Sequence, residues 1–289
     1  MKRIALKGIP LRSNLLTGWS ARVHWLLFGA FAVDYLLVWS RLWMRAPWFG
    51  EARWPDGLLI VFATGTTLAW LARQLPAQNV MLAAIIIGFL AGLVESIAPL
   101  TGVPFGPFTF TKNIGQELFH PLPWAMPLLW LVIVLNARGV GRLVLRPWRK
   151  GKNYGLWLIG ITAVLVVLFD LGLEPYATRV KHYWLWGASK TPFTWYSAPW
   201  VNFVGWLVTT LIILAFATPS LINKSPAKQP SSVDHFPLMI WLMLNVLFAT
   251  GALVNQLWPA FGFVVGTSTA VAAVGWRNGS YAASNRPSG

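Results

Sequence analysis

The chain of 289 residues is divided into apolar runs, each about as long as a helix must be to cross a bilayer. The runs are bounded by Pro, Gly and charged residues and lie at 23–43, 57–73, 79–98, 123–138, 154–173, 199–219, 236–255 and 259–276. Charged residues make up only 11% of the chain, whereas soluble domains carry roughly 25%. We therefore expect an all-α, polytopic transmembrane helix bundle of about eight spans, with seven to nine as the range.

We expect one integral membrane domain over residues 1–289. Its parts are a basic cytoplasmic N-terminus at 1–22, a six-helix core at 23–219, a polar linker at 220–235, a terminal helix hairpin at 236–276 and a cytoplasmic tail at 277–289. The linker, SLINKSPAKQPSSVDH, is rich in Pro and Ser, which is typical of a polar connecting segment.

The net charge of +15 is compatible with nucleic-acid binding, but its distribution favours a membrane topology. If the N-terminus is cytoplasmic, most of the 23 Lys and Arg residues lie on the inner side, as the positive-inside rule requires. The densest cluster, Arg138 to Lys152, lies between two spans and is predicted to face anionic headgroups. We therefore assign both termini to the cytoplasm, expect the inner (cytoplasmic) membrane as the location, and expect no nucleic-acid partner.

A carboxyl group, Glu95, ends the third apolar run, and a Gly/Pro-rich aromatic turn follows at once. A carboxylate in such a segment is costly and marks a functional site by default. Small residues share its helical face three, four, seven and eleven positions earlier and allow close helix packing. They are Gly92, Ala91, Gly88 and Ala84. We expect Glu95 to point into the bundle, with a carboxylate reaching back to water as the alternative.

Two further polar residues are predicted to lie at the depth of Glu95. Asp170 closes the fifth span and Asn202 opens the sixth, so all three lie at the outer ends of their helices. Glu174 follows Asp170 by four residues and shares its face if the helix continues, although Pro175 indicates that the helix ends about there. Reversing the orientation of the protein would move these residues together, so their convergence does not depend on it.

The remaining acidic residues are assigned by position. Asp56, Glu51 and Asp234 lie in predicted loops and are expected to be solvated. Asp34 falls near the middle of the first span, where it could pair with His24 or another helix, or stay protonated. A catalytic and a structural role for Asp34 remain equally open.

Residues 182–206 are unusually aromatic, with five Trp, two Tyr and two Phe. An interfacial aromatic belt explains much of this density. Aromatic faces also bind polyenes and stabilise cations, so a binding wall is an equal alternative.

Common catalytic signatures are missing from the sequence. There is no cysteine, and the four histidines show no HxxH or HExxH spacing, so neither a metal site nor a thiolate is expected. We find no P-loop, GxGxxG or GxSxG motif. Two classes of function are left: acid–base chemistry on a lipid-soluble substrate, and binding without chemistry.

Several short motifs resemble the carotenoid biosynthesis membrane family, which includes the CruF-type carotenoid 1′,2′-hydratases. The first set is Glu95, Thr101-Gly102, Pro104-Phe105-Gly106, Pro121, Pro123 and Trp124. The second set is Asp170 with Pro175, Trp184, Trp186, Tyr196, Pro199, Asn202, Gly205 and Trp206. The resemblance covers about residues 80–255. It departs at Phe108 and Phe110, where the family has tyrosines, so any role of those hydroxyls is lost or moved to Tyr183 or Tyr196.

The resemblance implies hydration of the terminal 1,2 double bond of an acyclic ψ-end group, as in lycopene, γ-carotene or a C50 carotenoid, to a tertiary 1-hydroxy carotenoid. This chemistry requires no cofactor. Glu95 would be the neutral acid, Asp170 would orient water or take its proton, and Asn202 would hold that water. The expected substrate-binding residues are Phe105, Phe108, Phe110, Trp124, Trp184, Trp186, Tyr196 and Trp206.

Other functions are compatible with the same residues. A carotenoid-binding or photosystem-associated membrane scaffold would bind the pigment without converting it, and the missing tyrosines are consistent with it. Transport of a polyisoprenoid is a third alternative function. Membrane lipid and other carotenoid-pathway enzymes are the expected partners besides the substrate.

Overall fold

The computed structural model describes residues 13–44, 54–188, 192–222 and 234–284, with side chains from residue 21 to residue 279 of these ranges. The helices are α1 (Ser13–Met44), α2 (Trp54–Leu71), α3 (Ala77–Thr101), α4 (Ala125–Val144), α5 (Tyr154–Pro175), α6 (Trp200–Ala217), α7 (Phe236–Val254) and α8 (Trp258–Ser284). Each predicted run overlaps one of these helices. Parts of the predicted N-terminus, linker and tail, at 1–12, 223–233 and 285–289, lie outside the described residues.

Within the described ranges, seven helices are long and apolar enough to cross a membrane, and the predicted all-α transmembrane bundle is confirmed. The exception is α2, whose 18 residues include Asp56 and several Gly and Thr residues. It nevertheless packs against α1 and α4. Helices suit a bilayer because each satisfies its backbone hydrogen bonds internally.

Helix α4 lies at the centre of the bundle, in contact with α2, α3, α5, α7 and α8. Its length corrects one expectation, because it continues to Val144 and so contains Arg138. Arg138 is buried and donates from Nη2 to the Leu221 carbonyl oxygen at 3.1 Å, instead of lying in a loop against headgroups. The basic residues from Arg146 to Lys152 do lie between α4 and α5.

Two acidic residues predicted to be solvated have partners. Asp56 accepts from Lys181 Nζ at 2.7 Å, and both side chains are largely buried. Asp234 accepts from the Trp70 indole at 2.8 Å and from the Phe236 amide at 3.0 Å, where α7 begins. Both predictions were wrong because tertiary contacts cover these positions, while Glu51 lies outside the described residues.

The suggested pairing of Asp34 with His24 does not form. The two residues are ten positions apart on α1, which is about 15 Å along a helix. His24 Nδ1 instead lies 3.3 Å from the Thr66 carbonyl oxygen. Asp34 is buried, and its Oδ2 has no hydrogen-bond partner among the residues described.

Short strands close one end of the bundle. They are β1 (Phe108–Phe110), β2 (Glu117–Phe119), β3 (Leu122–Pro123), β4 (Trp184–Trp186), β5 (Thr194–Trp195) and β6 (Ala198–Pro199). β1 pairs antiparallel with β4, with Phe108 opposite Trp186 and Phe110 opposite Trp184. The segment after α3 and the segment after α5 are therefore joined above the ends of α3 and α6.

A glycine contact positions the turn before β1. A Cβ at Gly205 of α6 would lie 2.6 Å from the Phe105 ring and 2.8 Å from the Pro104 carbonyl oxygen. Because Gly205 has no side chain, this turn packs directly against α6. Phe105 is consequently buried beside the closed end of the bundle.

Candidate active site

A cavity with about 250 Å³ of empty volume lies beneath the β1–β4 pair. It is lined by Glu95, Phe105, Phe108, Phe110, Met126, Glu174, Trp184, Trp186, Asn202 and Trp206. Two carboxyl groups and one amide are thus the polar groups in an otherwise apolar and aromatic wall. Such a cavity suits an apolar ligand on which a few polar groups act.

Glu95 enters the cavity from the last turns of α3. Its side chain is 2% exposed and points into the bundle, and its Oε1 accepts from the Trp130 indole at 2.8 Å. The small residues of its face pack as expected, since a Cβ at Gly92 would lie 3.5 Å from Leu122 and Pro127. This close approach of α3 and α4 keeps Glu95 away from lipid.

Glu174 reaches the same cavity from the end of α5 and is 1% exposed. Its Oε2 accepts from Trp186 Nε1 at 2.9 Å and Trp184 Nε1 at 3.3 Å, and its Oε1 accepts from Asn202 Nδ2 at 3.2 Å. Three donors therefore surround this carboxyl group. Glu174 was not predicted as a catalytic residue, although its spacing of four from Asp170 was the available signal.

Asp170 lies behind the cavity wall. It is fully buried, and its Oδ2 accepts from Asn202 Nδ2 at 2.9 Å. Asn202 thus bridges Asp170 and Glu174 with one amide nitrogen. The structure brings Glu95, Asp170 and Asn202 to one place, but Asp170 does not line the cavity, whereas Glu174 does.

The three carboxyl groups interact electrostatically with one another. In the described part of the chain, the ion pairs are Lys181 with Asp56 and His120 with Glu117, so none compensates this cluster. Buried carboxyl groups without a basic partner cannot all be ionised together, because burial and mutual repulsion both oppose it. The cluster is therefore suited to hold and exchange protons.

The aromatic wall is built by alternation along two strands. Phe108 and Phe110 share one side of β1, and Trp184 and Trp186 share one side of β4. The rings of Phe108 and Trp186 are 5.3 Å apart. Trp206 of α6 is a further residue of the wall and stacks on Trp130 with centroids 4.0 Å apart and an interplanar angle of 12°.

Two predicted substrate-binding residues lie elsewhere. Trp124 covers the turn at Gly115, where a Cβ would lie 2.7 Å from its Nε1. Tyr196 accepts a hydrogen bond from the Ala260 amide at 3.3 Å, at the start of α8. Neither residue lines the cavity, and their predicted contact with substrate is corrected accordingly. Local turn geometry, which sequence spacing does not reveal, directs both side chains away.

The missing tyrosine hydroxyls are not replaced by Tyr183 or Tyr196, since neither lines the cavity. Tyr183 comes just before β4, and its side chain interacts with Asp56. Burial raises the pKa of Tyr183 well above its usual value, and Asp56 raises it further. The wall at Phe108 and Phe110 is thus apolar.

The aromatic residues of 182–206 are divided between the cavity and the surface. Trp184, Trp186 and Trp206 line the cavity, whereas Phe193 and Trp200 are exposed. The exposed residues fit an interfacial belt. Met126 and Trp130 were not anticipated, because nothing in their surrounding sequence separates them from ordinary core residues of α4.

A family model described as "Carotenoid biosynthesis protein" matches residues 56–272, three quarters of the chain and all of the cavity. The chain belongs to the carotenoid biosynthesis protein family. The resemblance seen in its motifs is thereby confirmed.

One curated member with a named activity is similar over part of its length. The chain is 29% identical over 124 residues to bisanhydrobacterioruberin hydratase of Haloarcula japonica. The alignment covers 43% of this chain and 40% of that protein, so it spans well under half of either. No solved structure is significantly similar to the chain.

Proposed function

We propose that this member of the family is a carotenoid hydratase. It adds water across the terminal 1,2 double bond of an acyclic ψ-end group and forms a tertiary 1-hydroxy carotenoid. The observation that carries the proposal is that Glu95 and Glu174 face one aromatic cavity without a basic partner among the described residues. The similarity to a carotenoid hydratase supports the reaction class.

The first step uses Glu95 as the general acid. Its proton passes to C2 of the alkene, which leaves a tertiary cation at C1 and the Glu95 carboxylate. A neutral carboxyl group buried in an apolar site is suited to this transfer. Trp206 and Trp186 line the cavity and would stabilise the cation, since an indole ring attracts a positive charge within about 6 Å.

The second step uses Glu174 as the general base. Water bonds to C1, and one of its protons passes to Glu174, whose carboxylate form accepts three hydrogen bonds. Return of this proton to Glu95 restores the starting state. The sum is one alkene and one water converted to one alcohol. No redox change occurs, so no redox cofactor takes part.

Asn202 and Asp170 act as a support in this scheme. Asn202 donates a hydrogen bond to Glu174 Oε1. Its amide nitrogen also donates to Asp170, which lies behind the cavity wall. Asp170 is thus a positioning residue, and the predicted direct contact of Asp170 with water passes to Glu174.

The cavity and the similar hydratase support the proposed substrate class. The cavity wall is apolar and aromatic apart from Glu95, Glu174 and Asn202, which suits the end group of a long hydrocarbon whose remainder stays in lipid. Lycopene, γ-carotene and C50 acyclic carotenoids are the candidate substrates. We assign the protein to the inner membrane, where such substrates and other enzymes of the pathway would meet it.

Expression in cells that make acyclic carotenoids tests the proposal. We expect a product heavier by one water, with its oxygen drawn from isotopically labelled water. An oxygen that follows labelled O₂ would show an oxygenase instead. Unchanged pigment that co-purifies with well-expressed protein would show a carotenoid-binding scaffold, and unchanged pigment that does not co-purify would also overturn the proposal.

A further inference from the structure

Trp130 is the residue behind the cavity wall that is most closely linked to Glu95. It lies on α4, is fully buried and is not part of the lining. Its indole makes two contacts with lining residues: the N–H donates to Glu95 Oε1 at 2.8 Å, and the ring stacks on Trp206 at 4.0 Å. It therefore touches both the acid and an aromatic face of the site.

The direction of this hydrogen bond has a chemical consequence. An indole N–H is only a donor, so Glu95 Oε1 has to be the acceptor. In a neutral carboxyl group the carbonyl oxygen is the better acceptor, and the proton resides on the other oxygen. The contact with Trp130 therefore selects Oε2 as the oxygen that carries the proton.

The same contact changes strength during proton transfer. Before transfer the N–H meets a neutral oxygen, and afterwards it meets a carboxylate, to which hydrogen bonds are shorter and roughly twice as strong. An interaction that strengthens as charge develops lowers the barrier instead of merely binding the ground state. The buried position of both groups keeps water from substituting for this donor.

We propose that Trp130 is a positioning residue that holds Glu95 with its proton on Oε2 and stabilises the carboxylate formed when the proton leaves. The inference rests on the proposed hydratase function. Trp130 acts through Glu95 and does not itself contact substrate. Its stacking on Trp206 fixes the plane of the indole and hence the direction of its N–H.

The decisive variant removes the N–H and keeps an aromatic ring. We expect Trp130→Phe to lower kcat about 10- to 100-fold, the usual range for a hydrogen bond to a charged group, with little change in KM. The ratio of rates in H₂O and D₂O should rise, because proton transfer becomes more strongly rate-limiting. Trp241→Phe is the matched control, since Trp241 is equally buried in α7 and has no indole partner among the described residues.

A second substitution separates the N–H from the shape of the side chain. β-(3-benzothienyl)alanine at position 130 keeps two fused rings and replaces the N–H by sulfur. It should reproduce the kcat loss and the larger isotope effect even if Trp130→Phe fails to fold. Near-wild-type kcat with this residue overturns the inference, as does a raised KM with an unchanged isotope effect. A wild-type protein without hydration activity would instead overturn the proposed function.

Discussion

Asn202 is the residue on which the polar network of the site depends. Its amide nitrogen donates a hydrogen bond to Asp170 at 2.9 Å and another to Glu174 at 3.2 Å, so two buried carboxyl groups share a single donor group. A buried polar group that loses its partner costs about 1–3 kcal/mol. The two carboxyl groups on α5 nevertheless differ in position at the scale of single residues. Glu174 lines the cavity, and Asp170 does not.

The carboxyl groups should differ in their importance for turnover. We expect Glu95→Gln and Glu174→Gln each to lower kcat by roughly 10²- to 10⁴-fold, the usual contribution of a general acid or base. Asp170→Asn should cost less, because its role passes through Asn202. Product formation in membranes with matched protein levels measures the effect.

Asp34→Asn is the control for this series. Asp34 is buried on α1 and is not among the residues that line the cavity, so turnover should stay near that of the wild type. If Asp34→Asn alone abolishes activity, the chemistry lies near the middle of the membrane and the assignment of Glu95 and Glu174 is wrong.

At the scale of elements, the candidate site is formed where two loop segments meet above four helices, α3 to α6. The β1–β4 pair carries four aromatic residues of the wall, and the Phe105 turn rests on α6 at Gly205. Isolated two-stranded ribbons are marginal in water, so this one depends on the helices beneath it. Its position should therefore be sensitive to changes on the surface of α6.

Adding a methyl group at Gly205 should displace the Phe105 turn. The new Cβ of Gly205→Ala would lie 2.6 Å from the Phe105 ring, and we expect a loss of about 1–3 kcal/mol in stability together with reduced activity. Gly160→Ala on α5 is the control, because no atom lies within 4 Å of its Cβ position. Thermal unfolding in detergent and hydration assays would measure both. Equal stability of the two variants would contradict the packing argument.

At the scale of the whole molecule, the arrangement of spans sets where the site lies. The β1–β4 pairing places the segments after α3 and α5 at the same end of the bundle, and the basic segment between α4 and α5 lies at the other. The charge distribution predicts that this basic end is cytoplasmic. The cavity would then open near the outer surface of the membrane.

Introduced cysteines test this orientation without background, since the chain has none. Lys112 and Lys152 are exposed at opposite ends of α4. A membrane-impermeant thiol reagent applied to intact cells should label Lys112→Cys and spare Lys152→Cys, while both react after lysis. The reverse labelling pattern would show that the protein has the opposite orientation, with the cavity at the cytoplasmic side.

The sequence by itself determined the helices and the common level of Glu95, Asp170 and Asn202 at one end of the bundle. Each apolar run becomes a helix because the hydrocarbon core leaves the backbone no other way to satisfy its hydrogen bonds within one segment. Glu95 was predictable for a similar reason, since the small residues on its face are local and follow the helical period. These features depend on neighbours in the chain, and a period of 3.6 residues can be read without knowing the fold.

Only the tertiary structure decided which hydrogen bonds these polar groups make. The donors to Glu174 come from β4 and α6, and the donor to Glu95 lies 35 residues away on α4. Trp124 and Tyr196 were misplaced because turn geometry directs their side chains away from the cavity. Contacts of this kind depend on how whole helices pack and where loops cross, and no local periodicity records either.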